Sequence, residues 1–302
     1  MTATILSENV LPQLPSASGV EIIGPTAYLV SDDAPLLYLL DAATLAPVGQ
    51  VQLFETSDFG SGRIPKAAKP DLESMAAVVS PTGAAGLLLC GSGSQPNRET
   101  GYFVGLPAAD APAGPRFVQR LDLSRLYAQL RARLPAGATL NLEAAATTAT
   151  ELLLLQRTVG GGPALLFALP LDATLAHLFE PRWPAPAPTR VLSFALPALG
   201  GYVAGFSGAT HVAGQLLVTA SVEATTSAVA DGAVLGSFVG VVNLATQTAT
   251  FARLAWADGR AYLGKVEGLA VRRTLGPGWL ELLLVTDDDL GGSTALVAEL
   301  RL

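Results

Sequence analysis

Short apolar runs, each closed by glycine, proline or a polar cluster, recur along the whole chain. Five stretches share one opening: a small or polar residue, then an acidic one, then apolar residues, at 18–23, 71–76, 141–146, 207–212 and 265–270. The acidic residues are Glu21, Glu73, Glu143 and Glu267, and Thr210 takes that place in the fourth stretch. After a turn, a second apolar run ends in a polar cluster: Ser31 to Asp33, Gly91 to Ser94, Gln156 and Arg157, Ser221 to Glu223, and Asp287 to Asp289. A third run follows in every unit and a fourth in four of them. Runs this short between turn residues predict strands.

The fifth unit stops after three strands, while the segment from Thr2 to Ser7 is left over at the other end. A β-propeller reconciles the two by using the N-terminal strand to complete the last blade, which removes exposed sheet edges. The expectation is an all-β, single β-propeller domain over 1–302. It has five four-stranded blades, with six as the alternative count, and units starting near 17, 70, 140, 206 and 264. Strands follow one another without the helical patterns a parallel α/β fold requires. The one helical stretch, 123–134, places Leu123, Leu126, Tyr127, Leu130 and Leu134 on one face and reads as an insertion between blades two and three.

Composition narrows the function classes. Of 302 residues, 50% are hydrophobic and 14% charged, with a single cysteine, which excludes a disordered chain, a coiled coil and a disulfide scaffold. The formal charge is −7, and only Lys66, Lys69 and Lys265 are lysines. No basic stripe exists to neutralise phosphates, so nucleic acid is not an expected partner. The start lacks the charged and apolar regions of a signal peptide, and no apolar run approaches the length of a membrane span. The expected location is the cytoplasm, with no membrane partner. Cys90, within an apolar run, reads as a buried strand residue; His177 and His211 read as packed or hydrogen-bonded, not as catalytic bases.

Equivalent positions of successive first strands point the same way, so Glu21, Glu73, Glu143 and Glu267, with Thr210, are expected to ring one mouth of a central channel. Adjacent carboxylates repel unless protons, cations or basic side chains balance them. Three readings follow: a Ca²⁺ site, for which oxygen donors are suited; a purely structural ring locked by Lys69, Lys265, Arg98 and Arg157; or direct catalysis. In the catalytic reading, bound Ca²⁺ polarises a phosphoester or lactone with Glu223 or Asp33 as base. The second-strand clusters add Asp32, Ser92, Arg98, Arg157 and Asp287 as candidates for binding a small polar or anionic molecule. No dinucleotide or P-loop fingerprint is present, so no organic cofactor is expected.

The openings Ser18 to Glu21, Lys69 to Glu73, Asn141 to Glu143 and Lys265 to Gly268, with Ser31 to Asp33, Gly91 to Ser94, Leu155 to Arg157 and Asp231 to Gly236, resemble an uncharacterised bacterial β-propeller family, a domain of unknown function, over nearly the whole chain. More distantly, they are similar to the esterase-like phytase propellers. That similarity implies acidic channel residues associated with Ca²⁺ and, as one option, a phosphoester hydrolase. Thr210 departs from the acidic pattern.

Overall fold

The computed structural model describes residues 1–107, 117–158, 162–225, 232–288 and 290–302. The strand opening expected at Arg116, and the motif residues Asp231 and Asp289, lie outside the described residues. After β1 (Thr2–Val10), the chain forms a sheet of β2 (Ala17–Ile23), β3 (Thr26–Ser31), β4 (Leu36–Asp41) and β5 (Pro47–Gln52), paired in sequence order. A second sheet has β6 (Leu72–Val79), β7 (Ala85–Gly91), β8 (Thr100–Gly105) and β9 (Phe117–Asp122). A third has β10 (Leu142–Thr147), β11 (Glu151–Gln156), β12 (Ala164–Pro170) and β13 (Arg190–Phe194).

The remaining strands form one eight-stranded sheet apart from a small hairpin, β14 (Ala198–Leu199) with β15 (Tyr202–Val203). One half holds β16 (Gly205–Val212), β17 (Gln215–Glu223), β18 (Val234–Asn243) and β19 (Thr248–Trp256); the other holds β20 (Lys265–Gly276), β21 (Trp279–Asp287), β22 (Ser293–Arg301) and β1. The N-terminal strand therefore does complete the last group, running antiparallel to β22 from Thr2 opposite Arg301 to Val10 opposite Thr294. Unexpectedly, it also pairs in parallel with β19, Ala3 opposite Leu254 through Ile5 opposite Trp256. That short ladder is what fuses two four-stranded groups into one sheet. The fold is all-β and propeller-like.

Apolar layers separate neighbouring sheets and explain the continuous apolar runs, because a strand covered on both faces has no solvent side to mark with polar residues. Leu152, Leu153, Leu154 and Leu155 are all fully buried. One layer joins the first and second sheets through Leu37, Met75 and Leu89; the next joins second and third through Phe103 and Phe167. Phe194 and Val218 meet between the third sheet and the β16–β19 group, and Leu254 and Leu282 between the halves of the large sheet. Leu29 and Leu283 share the layer that returns to the first sheet. In step with this, β2, β6, β10, β16 and β20 pack each against the next, and β20 against β2.

Helix α1 (Ser124–Arg131) lies where the periodicity placed it, with Leu126, Tyr127 and Leu130 buried and the Ser124 amide donating to Asp122 Oδ1. Helix α2 (Leu171–Phe179) was not expected. Its nine residues are too few to show a clear helical period, and no side chain caps its start. No helix among the described residues is long and apolar enough to cross a membrane.

Candidate functional site

The pairing of each first strand with its second skips a residue at the same place in all five, and the long β20 has two further irregularities beyond it. The skipped residues are Ser18, Glu73, Glu143, Ser207 and Glu267. A bulge of this kind re-aims its extra side chain, and here it does so five times around the ring. The register corrects the expected ring in two units: Ser18, not Glu21, matches Glu73, and Ser207, not Thr210, does so in the fourth unit. Glu21 stands opposite Tyr28, three residues further along β2, and burial pushes its carboxyl up to about 7 despite hydrogen bonds from the Ala77 and Ile22 backbone. Thr210 pairs with Leu217.

Each bulged residue is followed by a small one: Gly19, Ser74, Ala144, Gly208 and Gly268. Size is limited there because the strands approach closely. A Cβ on Gly268 would lie 2.9 Å from Gly19 Cα, and one on Gly208 would lie 2.9 Å from Gly268 Cα. What remains on the axis is a cavity of about 10 Å³, roughly one water molecule. Its polar side chains are Glu73, Glu143, Glu267, Ser18 and Ser74. Ser18 Oγ is committed to the Leu72 carbonyl at 2.5 Å. Ser74 is 2% exposed, and neither its Oγ nor Glu267 Oε2 has a hydrogen-bond partner.

The second-strand ends gather around the same mouth and divide into two ion-pair groups. In the first, Lys69 Nζ bonds Asp32 and reaches Asp33 Oδ1 at 3.2 Å and Asp71 Oδ1 at 3.3 Å. Arg98 holds Asp71 at 2.7 Å, Arg63 holds Asp33 at 2.5 Å, and Ser92 donates to Asp71 at 2.5 Å. Asp71 adopts a left-handed φ of 56°, a conformation its short polar side chain tolerates. Oxygens of Asp32, Asp71 and Glu73 lie within 4.8 Å of one another, a spacing that could hold a metal ion. Lys69 Nζ contacts two of these three carboxylates. Burial opposes its charge, yet Asp32, Glu73, Asp71 and Asp33 hold it protonated more firmly than an ordinary lysine.

In the second group, Arg157 contacts Glu223 at 2.8 Å, Glu143 at 3.4 Å and Glu267 at 3.9 Å, while Lys265 contacts Glu267 at 2.8 Å and Glu223 at 3.3 Å. Arg157 spans three units because Gly205 leaves it room: a Cβ there would sit 2.6 Å from Arg157 Cγ. Burial raises Glu267 to about 8, with Lys265 and Arg157 offsetting it only in part and Glu143 adding to it. Glu73 is held well above the carboxylate range by burial first, then by Glu143, Asp32 and Asp71.

The candidate bases fit their assigned role poorly. Burial would raise Glu223, but Arg157 and Lys265 more than compensate and hold it below its ordinary value. Lys69 and Arg63 do the same to Asp33, which also accepts from Ser16. Arg98 and Arg157, expected to receive an anionic molecule, are committed to carboxylates. Asp287 ends β21 opposite Lys265. Cys90 is buried, its thiol pushed up to about 12, and His177 Nδ1 sits 2.8 Å from the Trp183 carbonyl, both structural placements.

The profile of a family of unknown function, DUF6929, matches residues 13–300. The chain belongs to this family. A comparison with curated proteins finds no match. Among solved structures, DUF6929 here is similar to a glutaminyl cyclase of Myxococcus xanthus, with TM-score 0.51 and 13% identity over 100% of this chain and 97% of that one. Two others are a tail fibre of Staphylococcus aureus phage P68 (TM-score 0.47, 9% identity, 100% of this chain and 53% of that one) and Drosophila Semaphorin 1b (TM-score 0.36, 13% identity, 98% and 54%). At these identities the likeness concerns the fold alone.

Proposed function

We propose that this DUF6929 protein is a five-bladed propeller whose axial channel binds a cation or a small cationic ligand, with Ca²⁺ the first candidate. The blade count rests on five apolar layers that close on themselves and on the bulge that recurs at the same place in each of five first strands; the full-length likeness to the glutaminyl cyclase supports the fold and not the reaction. One observation carries the binding reading. Among the described residues, the polar ones that line the axial cavity are three glutamates and two serines, and no lysine, arginine or histidine lines it. An all-oxygen wall of this kind suits a hard cation and would repel an anion.

The test is metal analysis of protein purified without chelator, paired with thermal melting in added CaCl₂. A ligand at a hundredfold excess over its Kd adds about 2.7 kcal/mol of stability, so the wild type is expected to melt several degrees higher. A Glu73→Gln, Glu143→Gln double variant is expected not to respond. Absence of both bound metal and a melting shift in the wild type would refute the reading.

A further inference from the structure

The acidic mouth offers two places for a positive charge, and the side chains around them distinguish the two. In the corner between the first and second sheets, Asp32, Asp33 and Asp71 meet Lys69, Arg63 and Arg98. The ammonium of Lys69 already lies against the oxygens a metal would use there. On the axis, Glu143, Glu223 and Glu267 contact Arg157 and Lys265, while Glu73 feels Glu143 from that group and Asp32, Asp71 and Lys69 from the corner. Glu73, Glu143 and Glu267 line a cavity the size of one water there, and no lysine or arginine among the described residues lines it.

Two buried atoms point to an occupant. Ser74 and Glu267, 2% and 3% exposed, are among the residues that line that cavity, and Ser74 Oγ and Glu267 Oε2 have no hydrogen-bond partner. A buried hydroxyl or carboxylate oxygen left unmatched costs about 1–3 kcal/mol or more, and burial of unmatched polar atoms calls for an explanation such as an ion. Three carboxyl groups and a hydroxyl around a cavity of this size are the oxygen donor set that a divalent hard cation takes.

Resting on the channel-binding reading above, we infer that a single divalent cation occupies the axial cavity, held by Glu73, Ser74, Glu143 and Glu267. Lys69 serves as the tethered cation of the neighbouring corner and keeps a second metal out. Ser74 is thus a ligand that neither its residue type nor its place beside a glutamate announces.

Calorimetric titration of chelator-treated full chain with CaCl₂ tests this. One ion per chain is expected for the wild type, with no saturable heat from NaCl. Ser74→Ala, a small change that the melting curve can check for folding, should weaken binding by about tenfold or more. Asp32→Asn should leave affinity within about threefold. Binding kept in Ser74→Ala but lost in the Glu73→Gln, Glu143→Gln double variant would overturn this inference while leaving the channel reading standing, and binding lost in Asp32→Asn but kept in the other variants would place the ion in the corner and overturn both. No saturable binding of Ca²⁺, Mg²⁺ or Mn²⁺ to the wild type would overturn both.

Discussion

Arg157 shows how much one side chain can carry in a mouth this crowded. Its guanidinium touches glutamates from three units, and burial, which works against its charge, is outweighed by Glu143, Glu267 and Glu223. Replacing it by Met would leave buried carboxylates uncompensated, a loss of about 3–5 kcal/mol, measurable by denaturant unfolding. Glu21 makes the opposite case. Its folded carboxyl keeps a proton up to about 7, against 4.5 ordinarily, so the stability it contributes is present below the ordinary value and fades as pH rises through 7. Glu21→Gln cannot ionise. It is expected to exceed the wild type by about 1–3 kcal/mol near pH 8.5 and to match it near pH 4.5; equal stability at both would show that Glu21 is solvated. In sequence, Glu21 and Glu73 looked equivalent because both precede apolar residues. The decisive sign was the small residue after each bulge, which aligns Ser18 with Glu73 and Glu267. Ser74 carried no sign at all, since a serine's lack of partners exists only once the strands have packed.

At the level of elements, the strands were readable because turn residues bracket apolar runs too short for helices, and their order followed from repetition. The ends of the chain were readable too, since a three-stranded last unit and a spare first strand complete each other. What escaped was anything set by neighbours: α2, whose Leu171, Leu175 and Leu178 amount to barely two turns, and the parallel ladder from β1 to β19. Closure by β1 makes a sharp prediction. Ile5 is 2% exposed and Leu6 is 52% exposed, so Ile5→Ala should cost about 2–5 kcal/mol while Leu6→Ala changes stability by less than about 0.5 kcal/mol. Equal losses would mean that β1 sits in another register.

Across the whole molecule, most of the buried charged residues of an otherwise apolar chain are concentrated at one mouth, where Lys69 fills the corner and the axis keeps a cavity lined by oxygen donors. In the corner Lys69 already lies against the oxygens a metal would use, whereas no lysine or arginine among the described residues lines the axial cavity. The central claim is that the ring closes around a cation. Crystals grown with Mn²⁺ in place of Ca²⁺ test it most directly, by the anomalous scattering of the metal. One peak in the axial cavity, within bonding distance of Glu73, Glu143, Glu267 and Ser74 Oγ, is the predicted result. A peak beside Asp32 and Asp71, or a channel with no peak, would contradict it.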